Sequence, residues 1–136
     1  MFFGVLNMKK KILIIDDQPG FTKIVKVVLE AGKSYEVAEV NNPAMATQIA
    51  LEFCPDAVLL DLDMPVLDGG DVLKLFRKDP ALRDIPVLFV TGSVLKQEVA
   101  SGNGLIGGER FIAKPISTEN LIERIEESIA VGSDSR

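Results

Sequence analysis

The chain has 136 residues, of which 47% are hydrophobic and 26% are charged, and its formal net charge is −5. This length and composition predict a single globular domain and argue against disorder, while the acidic balance argues against direct binding of nucleic acid. The sequence contains no histidine. Histidine-dependent nucleophiles, imidazole metal sites and a phosphohistidine donor within the chain are therefore excluded, and carboxylates with hard cations remain.

The two ends of the chain and its lone cysteine set further expectations. The apolar segment 1–7 is far shorter than the roughly 20 residues that span a bilayer, and its charges follow the apolar run, so it is a poor signal peptide. We expect an N-terminal extension over 1–7, one domain over 8–131, a polar tail over 132–136 and no membrane association. Cys54 is expected to be a buried thiol, which is compatible with a reducing, cytoplasmic location.

Short apolar runs recur along the chain, and each ends in polar or turn-forming residues. They predict five strands, at residues 11–15, 35–40, 57–60, 86–90 and 111–113. Polar side chains stand at the carboxyl ends of four of these strands: Asp16, Asp17, Asp61, Thr91 and Lys114. Because open parallel sheets bind ligands at this edge, we expect these side chains to form one site.

Amphipathic patterns between the strands predict helices. The first has an apolar stripe made of Phe21, Ile24, Val25, Val28 and Leu29. This helix stops at Gly32. The other helices have predicted N-terminal caps, which are Asn42 for the second, Asp68 for the third and Ser117 or Thr118 for the last.

The alternation of strands and helices predicts an α/β fold, a doubly wound parallel sheet with helices on both faces. The weakest element is the segment 94–109, which contains several glycines. Each glycine inside a helix costs about 1 kcal/mol relative to alanine. We therefore expect only a short or frayed helix in this segment.

Three carboxylates brought together would repel one another unless a cation neutralised them, and Mg²⁺ suits such a site. A carboxylate oxygen of Asp61 could then attack phosphorus, with Lys114 neutralising charge and Thr91 donating a hydrogen bond. Taken singly, each residue has a structural explanation, since acidic pairs and Thr-Gly turns often cap helices and lysines are usually solvated. The combination of all of them at one edge favours phosphoryl chemistry.

These motifs resemble those of response-regulator receiver domains, including single-domain receivers of the chemotaxis type. The resemblance spans about residues 10–130 and rests on Ile14-Ile15-Asp16-Asp17, Leu60-Asp61-Leu62-Asp63-Met64-Pro65, Asp68-Gly69, Ile85-Pro86-Val87, Thr91-Gly92 and Lys114-Pro115. It implies a flavodoxin-like five-stranded parallel sheet with strand order 2-1-3-4-5. It also implies a place in a two-component phosphorelay, with a histidine kinase or histidine phosphotransfer protein as the donor and an unknown downstream protein as the partner.

The resemblance assigns a role to each acidic residue. Asp61 is the phosphoacceptor and also a metal ligand. Asp17 binds Mg²⁺ directly, Asp16 acts through water, and the backbone carbonyl of Asp63 is the third protein ligand, with Mn²⁺ as an alternative ion. The protein is expected to be a monomer or a phosphorylation-dependent homodimer.

The remaining assignments concern the switch. By resemblance Thr91 is the switch hydroxyl, Lys114 pairs with the phosphoryl group, and Phe111 stands at the switch-aromatic position, where it would rotate inward. Pro115 follows a strand end and is a candidate for a cis peptide bond. Asp63 is unusual two residues after the acceptor, and we expect its carboxylate to alter the dephosphorylation rate.

Two other function classes stay open. The motif Leu60-Asp61-Leu62-Asp63 also fits the aspartate nucleophile of haloacid-dehalogenase-like phosphatases, with Asp63 as general acid, although that family needs acidic metal ligands after its lysine. A receiver-like scaffold that binds partners without phosphorylation is the other alternative. We expect a signalling domain, not an enzyme that turns over a substrate.

Overall fold

The computed structural model describes residues 8–65, 67–92, 105–106, 109–114 and 117–134. Within these ranges the strands are β1 (Lys10–Ile15), β2 (Tyr35–Val40), β3 (Ala57–Asp61), β4 (Val87–Thr91), β5 (Leu105–Ile106) and β6 (Glu109–Ala113). The helices are α1 (Pro19–Ala31), α2 (Ala46–Phe53), which follows a 3₁₀ turn (Pro43–Met45), α3 (Gly69–Lys78) and α4 (Thr118–Asp134). No helix among these residues is both long enough and apolar enough to cross a bilayer.

The strands form one sheet with the order β2-β1-β3-β4-β6-β5. The first five strands in this order are parallel, which confirms the predicted order 2-1-3-4-5 with β6 as the fifth predicted strand. The short β5 pairs antiparallel with β6 and was not predicted. Residues 105, 106 and 109 are therefore strand, so the helix predicted over 94–109 is wrong there; most of the segment lies outside the described residues.

Each face of the sheet carries its own apolar core, as expected for a sheet covered on both sides. The core that includes α1 and α4 contains Ile12, Ile14, Val25, Leu29, Leu59, Leu88, Ile112, Leu121 and Ile125. The core that includes α2 and α3 contains Leu13, Ile15, Ala50, Leu60, Val72, Phe76 and Phe89. The central strands β3 and β4 are buried along their whole length because both of their faces are covered.

Polar side chains fix the helix starts. Asp68 accepts a hydrogen bond from the Asp71 backbone N–H at 3.0 Å while the Asp71 carboxylate accepts one from the Asp68 N–H, which is a capping box. The Asn42 side chain accepts from the N–H of Ala44, and Ser117, not Thr118, caps α4. Helix α4 then continues to Asp134, so the tail predicted over 132–136 is helical over 132–134. No proline interrupts this stretch, and one glycine is too weak a signal to end a packed helix.

Two local predictions are wrong. Ile24 is 64% exposed, and the buried position on this part of α1 belongs to Thr22, because the buried stripe is narrower than the apolar pattern suggested. Cys54 is exposed instead of buried, since it ends α2 in the left-handed conformation, with φ of 55°. The predicted stop of α1 at Gly32 is confirmed, and the residue in the left-handed conformation is the next one, Lys33, with φ of 62°.

Candidate functional site: an acidic cluster at the carboxyl edge of the sheet

Three carboxylates meet at the carboxyl edge of the sheet. Asp16 and Asp17 follow β1, and Asp61 is the last residue of the neighbouring strand β3. One carboxylate oxygen from each lies within 4.8 Å of the other two. Asp16 and Asp61 are buried and Asp17 is partly buried. The sheet register therefore brings together the acids that the sequence predicted to share a site.

One oxygen of Asp61 is held by a hydrogen bond, and the nearest cation among the described residues, Lys114, lies at the limit of ion-pair distance. Oδ1 of Asp61 accepts the backbone N–H of Asp63 at 3.2 Å and lies 4.0 Å from Nζ of Lys114. Burial raises the pKa of Asp61, and the negative charge of Asp16 raises it further, against the opposing effects of the Asp63 N–H and Lys114. Within the described part of the chain, Oδ2 of Asp61 accepts no hydrogen bond, so one oxygen is available for chemistry.

Lys114 provides the positive charge beside this cluster. Its Nζ lies 3.1 Å from Oδ2 of Asp16, and its side chain is 22% exposed. The backbone N–H of Lys114 donates to the Thr91 carbonyl at 2.8 Å, which ties the ends of β6 and β4 together. The Phe21 ring lies under the ammonium group, with Nζ 4.1 Å from the ring centroid. The apolar pattern had assigned Phe21 only to the helix stripe.

Thr91 is fully buried at the end of β4, and its hydroxyl donates to Oδ2 of Asp63 at 3.1 Å. The Phe111 ring is buried and stacks on Phe89, with centroids 5.0 Å apart and an angle of 26° between the planes. Phe111 thus already points inward here, although the sequence predicted this position for the phosphorylated state. Pro115, the candidate for a cis bond, lies outside the described residues.

A network of polar side chains, which the sequence did not predict, holds the acidic turn that follows β1 and contains Asp16 and Asp17. The Asn41 side chain donates to the Asp16 carbonyl at 2.9 Å and to the Thr22 hydroxyl at 3.0 Å. Thr22 in turn donates to the Glu39 carboxylate at 2.7 Å, and the Gln18 backbone N–H donates to Oδ1 of Asp16. These contacts join α1, β1 and β2 and depend on the assembled sheet, so local sequence carries no signal for them.

The donor set fits a hard divalent cation. Carboxylates in a buried cluster repel one another, and an ion with oxygen ligands removes that repulsion. Both oxygens of Asp16 are already engaged, by Gln18 and Lys114, which favours a contribution through water. The role of the Asp63 carbonyl as a ligand stays a prediction.

The family model of the response regulator receiver domain matches residues 12–126. This chain belongs to the response-regulator receiver family. The polar-differentiation response regulator DivK of Brucella anthropi is 34% identical over 122 residues, covering 88% of this chain and 95% of DivK. The nisin biosynthesis regulatory protein NisR of Lactococcus lactis is 33% identical, covering 90% of this chain but only 51% of NisR.

A solved structure gives the same result for the fold. A response regulator receiver domain protein from Clostridium thermocellum superposes with a TM-score of 0.76 at 25% identity, covering 93% of this chain and 99% of that one. The family match is thus supported by sequence and by fold. The chain is a receiver domain of two-component signalling, a family that typically binds Mg²⁺ and interacts with histidine kinases and downstream effectors.

Proposed function

We propose that this receiver domain accepts a phosphoryl group on Asp61, from a histidine kinase or a histidine phosphotransfer protein. Asp17, Asp61 and the backbone carbonyl of Asp63 would hold Mg²⁺ or Mn²⁺, and Asp16 would act through water. The supporting observation is that carboxylate oxygens of Asp16, Asp17 and Asp61 lie within 4.8 Å of one another. Family membership supports the same reading. When bound, the cation supplies positive charge that offsets the carboxylates and the phosphoryl oxygens.

The transfer needs a free carboxylate oxygen on Asp61 and two neighbouring hydrogen-bond donors, which are Lys114 and Thr91. An oxygen of Asp61 attacks phosphorus, the new O–P bond forms as the N–P bond of the donor phosphohistidine breaks, and the imidazole nitrogen keeps the electron pair. Lys114, whose Nζ is 4.0 Å from Asp61, pairs with the transferred phosphoryl oxygens. The Thr91 hydroxyl donates to the same oxygens after it leaves Asp63.

The proposed switch begins at Thr91. An aspartyl phosphate adds about two negative charges and several acceptor oxygens, which compete with the Asp63 carboxylate for the Thr91 hydroxyl. Movement of Thr91 changes the packing of β4 against β6, where Phe89 and Phe111 are stacked. A downstream protein, or a second copy of the chain, then binds the face formed by β6 and α4.

We also propose a cytoplasmic location, since the lone cysteine suits a reducing compartment.

Signalling is favoured over turnover by the glutamates that follow Lys114. A haloacid-dehalogenase-like phosphatase would need acids from that region at its metal. Here Glu126 accepts a hydrogen bond from Tyr35, and Glu127 pairs with Arg124 at 2.8 Å. Among the described residues, the acidic cluster contains only residues that precede Lys114.

The test uses the whole chain, Mg²⁺ and acetyl phosphate, with intact mass measured over time. We expect the wild type to gain one phosphoryl group, Asp61→Asn to gain none, and the surface control Glu52→Gln to behave as the wild type. Beryllofluoride should shift the amide resonances around Thr91 only when Asp61 is present. Phosphorylation that persists in Asp61→Asn contradicts the assignment. Steady turnover of small phosphomonoesters would instead support the phosphatase, and no modification at all would support the scaffold.

A further inference from the structure

The ammonium group of Lys114 contacts three side chains. Two of them are the carboxylates of Asp16, at 3.1 Å from Nζ, and Asp61, at 4.0 Å. The third is the half-buried ring of Phe21, whose centroid lies 4.1 Å from Nζ. An ammonium at this distance from an aromatic face is attracted by the negative charge of the ring face.

The ring is itself firmly placed. Phe21 belongs to the first turn of α1, two residues after Pro19, and its backbone N–H donates to the Gln18 carbonyl at 3.1 Å. It also packs on the core shared by α1 and α4. The ring is therefore anchored on the same segment that carries the acidic turn, while Lys114 has a flexible stem that would otherwise sample many rotamers.

We infer that Phe21 is a positioning residue, which holds the Lys114 ammonium at the acceptor edge through a cation–π contact. The inference deepens the proposed function and rests on it. The ammonium carries three N–H donors, so it can exchange Asp16 for a phosphoryl oxygen on Asp61 while it keeps its contact with the ring. An aliphatic residue of similar size would fill the same core space but would not attract the charge.

The chain contains a matched control. Nζ of Lys11 lies 5.3 Å from the centroid of Phe53, at the opposite edge of the sheet, where β1 begins and α2 ends. Phe53→Leu removes an aromatic ring from a lysine without touching the acidic cluster. Two substitutions of Phe21 separate packing from the cation–π attraction. Phe21→Leu keeps an apolar side chain but removes the aromatic ring, whereas Phe21→Tyr keeps the ring.

The test measures the rate of phosphorylation by acetyl phosphate with Mg²⁺, a small donor that needs no docking surface. We expect Phe21→Leu to slow the reaction by about 2- to 30-fold, the range that corresponds to cation–π contacts from exposed to desolvated sites. Phe21→Tyr and Phe53→Leu should keep the wild-type rate. A wild-type rate in Phe21→Leu, or an equal loss in Phe21→Tyr or Phe53→Leu, overturns the inference.

A second readout needs no phosphoryl donor. The ring current of Phe21 should move the ε-proton resonances of Lys114 upfield in the wild type and in Phe21→Tyr, and this shift should vanish in Phe21→Leu. Unshifted ε protons in the wild type overturn the inference itself. Shifted ε protons in a wild-type protein that takes up no phosphoryl group contradict the proposed function alone.

Discussion

Gly69, the first residue of α3, stands directly against the end of β3, the strand that carries the proposed phosphoacceptor Asp61. A Cβ atom added there would lie 2.5 Å from the Asp61 carbonyl oxygen, 3.0 Å from Cα of Leu62 and 3.0 Å from a ring carbon of Phe89. Real Cβ atoms essentially never approach closer than 3.0 Å, and two of these three neighbours are backbone. Gly69→Ala must therefore move either the start of α3 or the end of β3.

The magnitude follows from two opposing effects. Overpacking a tight interior position typically costs about 1–3 kcal/mol. Alanine is favoured over glycine by roughly 1 kcal/mol inside a helix, but by less at a first position, where Gly69 lies. We expect a net loss of about 1–2 kcal/mol in the free energy of unfolding, which for a chain of this size lowers Tm by about 3–10 °C.

Urea unfolding followed by circular dichroism measures this loss, with Gly20→Ala as the control. A Cβ at Gly20, also within the first turn of its helix, would meet no atom within 4 Å. That variant should be as stable as the wild type or up to about 1 kcal/mol more stable. Because the closest atom in this clash is the backbone carbonyl oxygen of Asp61, we expect Gly69→Ala also to be phosphorylated more slowly. Equal stability of the two variants would refute the reasoning.

Three further predictions concern the site and the lone thiol. Asp63→Asn should lengthen the lifetime of the phosphorylated protein, because the amide can still accept the Thr91 hydroxyl but has no charge with which to activate water. Asp61→Asn should be more stable than the wild type near neutral pH without divalent cations. The folded protein binds the Asp61 proton more tightly than the unfolded chain, so wild-type stability falls as pH rises above the ordinary value of 3.8. Native Cys54 should react with a thiol reagent nearly as fast as in the urea-unfolded chain, since it is exposed.

Each of these has its own control and contrary result. For Asp63, Asp68→Asn is the comparison, and an unchanged lifetime in Asp63→Asn removes the idea. For Asp61, unfolding is followed from about pH 4 to about pH 7 in the presence of chelator, and a stability difference from Asp61→Asn that shrinks with rising pH contradicts the electrostatic account. For Cys54, strong protection of the thiol in the folded protein would show that the side chain is covered.

Local sequence determined the parts of this protein that depend on neighbours in the chain. Uninterrupted apolar runs predicted the buried strands β3 and β4, because a strand covered on both faces needs apolar residues throughout. Asn42 and Asp68 predicted helix starts, because a cap is a hydrogen bond over two or three residues. Asp16, Asp17 and Asp61 could be assigned to one edge of the sheet because they stand at the carboxyl ends of strands, and parallel strands all end at the same edge.

Tertiary structure decided what depends on distant contacts. Lys114 and Asp16 are 98 positions apart, and no pattern in either segment shows that the ammonium pairs with Asp16 instead of lying midway between the acids. The contact of Phe21 with that ammonium, and the Asn41 network under the acidic turn, likewise exist only in the assembled sheet. The exposure of Ile24 was decided in the same way, because periodicity gives the side of a helix but the packed neighbours set how wide the buried stripe is.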